Sequence, residues 1–292
     1  MQMKPDPILL TGASGYVGSH LLTGLTEAGY AVRALTRDPD GHDFPPGTEV
    51  VKGDAFSGDG IEAALEGVKT AYYLIHSMGS DADDFAERDR EAAAGFAKAA
   101  KRAGVERVIY LGGLAGKSEH LRSREETADA LAEHGPETIH VRAAMVIGTG
   151  SDSFEIVRHL VNHLPVMIAP RWIDTRTQPV AIADAVKALI AIAAADEVPP
   201  EIQLGGADVL TYREMMARYA SLTGHRHRPL FKVPVMTPRI SSYWVALFTP
   251  VKLGVIQPLV EGLGQEMLVT DPPPAGINDD PMGYDAAVRA AM

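Results

Sequence analysis

The sequence predicts an α/β fold built on a doubly wound parallel sheet, and three features carry that prediction. Short apolar runs alternate with amphipathic segments of helical length through the first half of the chain. The earliest run, Ile8-Leu9-Leu10-Thr11, leads directly into Gly12, Gly15 and Gly18, and then into a segment with Val17, Leu21, Leu25 and Ala28 on one face. At 292 residues the chain is long enough to cover such a sheet on both faces.

Each further element follows from its local pattern. Strands are expected at 31–35, 49–52, 70–76, 108–111 and 138–143, where branched and aromatic residues cluster. Helices are expected at 60–66 behind Asp59, at 84–103 ending at Gly104, and at about 122–134 ending at Gly135. Past residue 150 the regular alternation fades. Asp152 with Glu155 reads as a capping box for a helix to about Asn162, and Leu164 to Trp172 reads as an apolar, proline-containing loop. A helix at 184–195 and a strand at 201–204 are expected to return to the sheet. Thr211 with Glu214 caps a helix over 212–222, and a proline-rich tail begins at Asp271.

The first turn carries the clearest chemistry. Glycine at position 12 permits a sharp turn off the strand, Gly15 lets backbone amides approach a diphosphate, and Gly18 lets the helix sit close to the sheet. With Ser14, Tyr16 and Val17, this is the pattern of a Rossmann-like dinucleotide site, in which the helix dipole favours the pyrophosphate. Doubly wound sheets bind ligands at the carboxyl ends of their strands, so the residues after each strand are the ones to search. After the second strand the usual ribose-binding carboxylate is replaced by Thr36-Arg37, and Arg37 favours the 2′-phosphate of NADP; Asp38 beside it leaves NAD open. Asp54 and Ala55 are placed near the adenine. His76 and Gly112 end the fourth and fifth strands beside the cofactor, and a buried Arg142 calls for a polar partner or a ligand phosphate.

Composition removes several classes of function. A formal net charge of −11 argues against nucleic acid as a partner. The absence of cysteine excludes disulfides, thiolate nucleophiles and zinc–thiolate sites. The N-terminus enters the first strand within a few residues, which predicts no signal peptide and a cytoplasmic location. Tyr243 to Val260 is apolar, but Pro250, Lys252 and Pro258 break it short of a membrane span. His159 and His163 have a metal-like spacing with no third ligand, and His225 to Arg228 reads as a solvated basic turn.

The chain resembles the short-chain dehydrogenase/reductase superfamily in its extended, atypical branch, which includes the NmrA-like proteins. The resemblance rests on Thr11-Gly12-Ala13-Ser14-Gly15-Tyr16-Val17-Gly18, Gly53-Asp54, the segment Gln178 to Val186 and the segment Gly205 to Glu214. More narrowly, Tyr72 to Met78, Leu164-Pro165-Val166-Met167 and Pro170-Arg171-Trp172 resemble bacterial NAD(P)H-binding proteins similar to the nucleotide-binding accessory subunit of respiratory complex I. The resemblance implies a cofactor-binding domain over 1–165 and a substrate-binding region over 166–292, with 178–206 returning to the first. It also implies a dimer face on the helices at 84–103 and 122–134, or a protein partner.

The departures from the family pattern are as informative. Catalytic members carry a serine after the fifth strand and a tyrosine four residues before a lysine. Here Gly112 or Gly113 takes the first place and His120-Leu121-Arg122-Ser123-Arg124 the second. Arg124 is left to hold a ribose, and His120 or His76 to relay a proton. The lining of a substrate pocket is expected from Met145, Met167, Trp172, Met236, Tyr243, Trp244 and Phe248, which suits a small hydrophobic molecule. Two functions follow: an NADPH-dependent oxidoreductase on a hydrophobic carbonyl, olefin or quinone-like substrate, and a catalytically silent NADP(H)-binding regulatory or assembly protein.

Overall fold

Each of the first five strands hands the chain to a connection that returns it to the same end of the sheet, so neighbouring strands run parallel. The computed structural model describes residues 6–76, 85–114, 116, 118–164, 166–169, 171–225, 229–232 and 238–292. Strands β1 (Ile8–Thr11), β2 (Val32–Thr36), β3 (Glu49–Lys52), β4 (Thr70–Tyr73), β5 (Arg107–Gly113) and β6 (Glu137–Ala143) join a seventh, Glu201–Leu204, in one sheet. The order is Glu201–Leu204, β6, β5, β4, β1, β2, β3, with every pairing parallel. The chain reverses direction of winding between β1 and β4, where a ligand crevice opens in sheets of this order.

Helices cover both faces. On one side lie α1 (Tyr16–Glu27) and α6 (Ile182–Ala194), which bury Leu21, Leu25, Leu189 and Ile192 against the sheet. The hydroxyl of the fully buried Tyr72 donates to the Leu189 carbonyl at 2.8 Å and ties β4 to α6. On the other side lie α2 (Ile61–Leu65), α3 (Phe85–Ala103) and α4 (Glu119–His134), packed through Leu65, Phe96 and Leu131. A third core is formed by α5 (Asp152–His163), α7 (Tyr212–Leu222), α8 (Pro238–Phe248), α9 (Leu253–Gly262) and α10 (Tyr284–Ala290) around Phe154, Leu160, Met215, Tyr219 and Ile256. The tail is pinned there: the amides of Met282 and Tyr284 donate to Asp184 and Asp208, both at 2.7 Å.

Several element ends differ from the sequence expectation, each for a local reason. Strand β4 stops at Tyr73 rather than His76 because the Leu74 amide donates to the Thr11 hydroxyl, at 3.1 Å, instead of to a strand. Helix α4 starts at Glu119 because Ser118 caps it, accepting from the Leu121 amide at 3.3 Å. Asp152 with Glu155 is not a capping box: Ser151 holds the cap position, its hydroxyl donates to the Val146 carbonyl at 2.7 Å, and Asp152 lies inside the first turn. Thr211 and Glu214 do form one, with bonds of 3.2 Å and 2.7 Å in the two directions. Pro258 does not break α9. It lies inside the helix, where the missing amide forfeits a bond only to Gly254 in the first turn.

Among the described residues no helix is long and apolar enough to cross a membrane. Ser77, Met78, Pro165, Pro170, Arg226, His227, Arg228, Val233, Pro234, Val235 and Met236 lie outside the described residues.

Candidate functional site

The glycine turn is locked onto the neighbouring strand. The Thr11 hydroxyl donates to the Tyr72 carbonyl at 3.0 Å while accepting from Leu74, so the ends of β1 and β4 are stitched together. Gly12 has φ +68°, and a Cβ there would lie 2.8 Å from the Leu74 carbonyl oxygen. A Cβ on Gly18 would overlap the Gly12 carbonyl, so the helix sits directly against the turn. Gly15 caps α1 with no side-chain bond, and Ser14 and Gly15 are exposed. The first-turn amides of Tyr16, Val17 and Gly18 therefore form an open cradle of donors at the positive end of the helix.

At the ends of β2 and β3 the candidates are sparser. Arg37 is exposed just past Thr36, with no ion pair to any described residue. One carboxylate oxygen of Asp54 accepts from the Phe56 amide at 2.9 Å, an Asx turn, and Ala55 is buried in the core beneath it.

Three side chains meet where β4, β5 and α4 converge. Arg124 donates through Nη1 to the Leu111 carbonyl at 3.2 Å, through Nη2 to His76 Nε2 at 2.9 Å, and through Nε to His120 Nε2 at 3.2 Å. Both imidazoles thus turn a lone pair toward the guanidinium, and each keeps its proton on Nδ1. Burial and the adjacent Arg124 hold His76 well below the ordinary histidine range and lower His120 to about 3. Protonation of either ring is disfavoured near neutral pH, because its imidazolium would face the Arg124 guanidinium, which weighs against the expected proton relay through His76 or His120.

Steric crowding accounts for the glycines at the usual serine position. A Cβ on Gly112 would overlap His140 Nε2 from the next strand, and one on Gly113 would come to 2.6 Å from a Leu121 methyl. His140 is itself buried and held at about 3, by desolvation first and then by Arg142 and Arg124.

Arg142 lies elsewhere. It forms a bidentate pair with Glu125 of α4 and a third contact to Glu201, at 2.9 Å, on the sheet edge. Its charge is met by two carboxylates, which corrects the expectation of a ligand phosphate at this position.

A cavity of about 460 Å³ opens from the glycine cradle and runs past Arg124 into the third core. One end is walled by Gly12, Gly15, Tyr16, His76, Gly112 and His120; the other by Val157, Leu160, Trp172, Met216, Val245 and Leu263. The expected lining is corrected in part. Met145 and Trp172 do face the cavity, whereas Tyr243 is exposed, and Trp244 and Phe248 pack on the third core. Nothing is described of the Met167 side chain. Reasoning from sequence missed the α5 face of Ile156, Val157 and Leu160, although its apolar spacing at i, i+1 and i+4 was a usable signal. Two buried donors in the lining, the Tyr16 hydroxyl and Trp172 Nε1, have no hydrogen-bond partner among the described residues. Burial, with a smaller contribution from Glu155, pushes the Tyr16 phenol well above its ordinary range, so it remains a neutral donor.

Residues 12–152 match a family model described as NAD(P)H-binding. A 3 beta-hydroxysteroid dehydrogenase/Delta 5-->4-isomerase of Mycobacterium tuberculosis is 34% identical over 112 residues, 35% of this chain and only 30% of that protein. A ceramide reductase of Caulobacter vibrioides is 28% identical over 283 residues, 90% of this chain and 84% of that protein. Among solved structures, the Citrobacter sp. triphenylmethane reductase complexed with NADP(H) superposes with a TM-score of 0.75 at 17% identity, over 98% of this chain and 100% of that one.

Proposed function

From a chain whose residues 12–152 match an NAD(P)H-binding family model, we propose an NADPH-dependent reductase of the short-chain dehydrogenase/reductase type, acting on a hydrophobic carbonyl-type substrate. The observation that carries this reading is the continuity of one cavity, from a donor-lined glycine cradle to an apolar chamber. The long relative named as a ceramide reductase supports a lipid-like substrate.

The cradle fits the cofactor because Gly12 and Gly18, where a Cβ would meet the Leu74 and Gly12 carbonyls, let the start of the helix sit hard against the turn, with Ser14 and Gly15 exposed at its rim. Tyr16, Val17 and Gly18 would hold the pyrophosphate through their amides, Arg37 the 2′-phosphate, and Asp54 the adenine edge. When bound, the nicotinamide supplies a hydride. Arg124 takes the place of the family lysine. Three of its donors are committed to Leu111, His76 and His120, so the guanidinium is fixed in place on the cavity wall, where its remaining N–H groups would meet developing oxyanion charge. Water supplies the proton, since both histidines are neutral acceptors. The unpartnered Tyr16 and Trp172 donors would orient a polar group on an otherwise apolar substrate.

The test is a fluorescence titration of wild type and Arg37→Ala with NADPH and NADH, followed by oxidation of bound NADPH on adding long-chain ketones, enals and quinones. The expected result is at least tenfold weaker NADPH binding in the variant, unchanged NADH binding, and substrate-dependent turnover in wild type. An equal loss for both nucleotides would sink the 2′-phosphate role. Tight binding with no turnover across the panel would overturn the reductase in favour of a binding protein.

A further inference from the structure

The chamber end of the cavity is walled by Val157, Leu160, Met216, Val245 and Leu263, and no charged side chain lines it. One polar group there is unmet. Trp172 lines the same end, and its Nε1–H is buried with no hydrogen-bond partner among the described residues. An indole N–H only donates, so no rotation lets it serve as an acceptor instead. The ring is also held in place. Trp172 belongs to the short helical turn Arg171–Asp174, its carbonyl accepts from the Thr175 amide at 2.9 Å, and Asp174 pairs with Arg213 of α7 at 2.8 Å. Tyr212, at the start of α7, meets the indole in a T, with ring centres 6.0 Å apart and planes at 89°. A buried donor left unanswered is unfavourable, so its acceptor has to come from whatever fills the chamber.

We propose that Trp172 is a specificity-determining residue that selects substrates with two oxygens: the carbonyl that reacts beside Arg124, and a second, uncharged acceptor oxygen of a ketone, ester or amide, carried across an apolar body to the chamber end. Chemistry narrows the second group. A carboxylate would also accept, but the wall offers no cation to offset its burial, and an ammonium group has nothing to give an N–H donor. A ligand that is wholly apolar at this end leaves the indole unanswered, so discrimination rests on the acceptor rather than on shape. Tyr16 does not duplicate the role. Its hydroxyl is also buried and unpartnered among the described residues, but it both donates and accepts, and it stands at the glycine cradle, within reach of a nucleotide. That the near carbonyl is reduced beside Arg124 rests on the reductase reading; the distal acceptor at Trp172 does not.

The experiment measures the affinity of the full chain, with and without oxidised NADP, for unbranched 2-alkanones and for diketones with a carbonyl next to each terminal methyl, matched in length over about eight to fourteen carbons. Wild type is compared with Trp172→Phe, which keeps an aromatic ring against Tyr212 and removes the N–H. The indole N–H signals of nitrogen-15-labelled protein are followed in the same titrations; the chain has two tryptophans, Trp172 and Trp244, and either single Trp→Phe variant assigns them. At one or more lengths the diketone is expected to bind wild type about tenfold more tightly than its monoketone, and the variant to bring that ratio to about one with monoketone affinity within about twofold. The Trp172 indole proton is expected to move downfield with the diketone alone. Equal affinity at every length overturns the proposal, as does a preference that survives in the variant, an indole proton that stays in place, or no binding by any ketone. Where the variant does not fold, the wild-type ratio and spectrum decide. Oxidation of NADPH by the same ketones is read separately: the preference without turnover overturns the reductase reading alone, and turnover without the preference overturns the acceptor selection alone.

Discussion

Lowering the pH from 8 to 5 should destabilise this fold well before its carboxylates protonate, and the size of the effect follows from two buried rings. His120 and His140 are each lowered to about 3 in the folded chain, against an ordinary 6.5. Desolvation is the larger cause in both, and the neighbouring Arg124 and Arg142 act in the same direction. Because the folded pKa lies below the unfolded one, the unfolded chain binds more protons between these values, so stability rises with pH there. The contribution is complete above about pH 6.5 and is lost as the pH falls toward 3. At pH 5 each ring is still neutral when folded and almost fully charged when unfolded, which costs about 2 kcal/mol per ring, or about 4 kcal/mol for the two. His76 adds to this in the same direction. Urea unfolding at pH 8 and pH 5 measures the loss, and His140→Gln should remove about half of it. A change below about 1 kcal/mol, or an NMR titration placing either ring near its ordinary value, would refute the reasoning.

Three substitutions test other parts of the structure. Glu125→Ala strips the bidentate partner from Arg142 and leaves only Glu201; it should cost about 1.5–3 kcal/mol by urea unfolding and leave NADPH affinity unchanged, whereas a selective loss of affinity would restore a phosphate role for Arg142. Gly112→Ser puts back the family serine against His140; it should destabilise by about 1–3 kcal/mol and bring no gain in turnover, and a stable, faster variant would contradict the crowding seen there. Gly18→Ala places a methyl on the Gly12 carbonyl and should abolish nucleotide binding while far-ultraviolet circular dichroism persists; normal titration by NADPH would show that the turn can open.

Much of this architecture is legible from local pattern. The glycine turn declares itself because only glycine tolerates the backbone at position 12 and the close approach at position 18, and the capping box at Thr211 because its bonds close within four residues. Parallel strands of branched residues between amphipathic helices leave a periodicity that survives in the bare sequence. Where local reading went astray, a distant group had intervened. Asp152 lost its capping role to Ser151, whose hydroxyl reaches back to Val146, and β4 ended early because Thr11 captured the Leu74 amide.

What the sequence by itself determined is therefore the class of fold, the glycine turn that opens the first helix, and the absence of a serine and a tyrosine at the positions where the family it resembles carries them. All are properties of neighbours along the chain. The fate of the charged and titratable groups was decided only in three dimensions, because desolvation and ion pairing depend on what stands opposite in space. Arg142 became a structural ion pair once α4 and the sheet edge brought Glu125 and Glu201 to it, and His76 and His120 became neutral acceptors once Arg124 stood between them. The same holds for the chamber, assembled from helices more than a hundred residues apart, and for α8, whose apolar outer face no periodicity could orient.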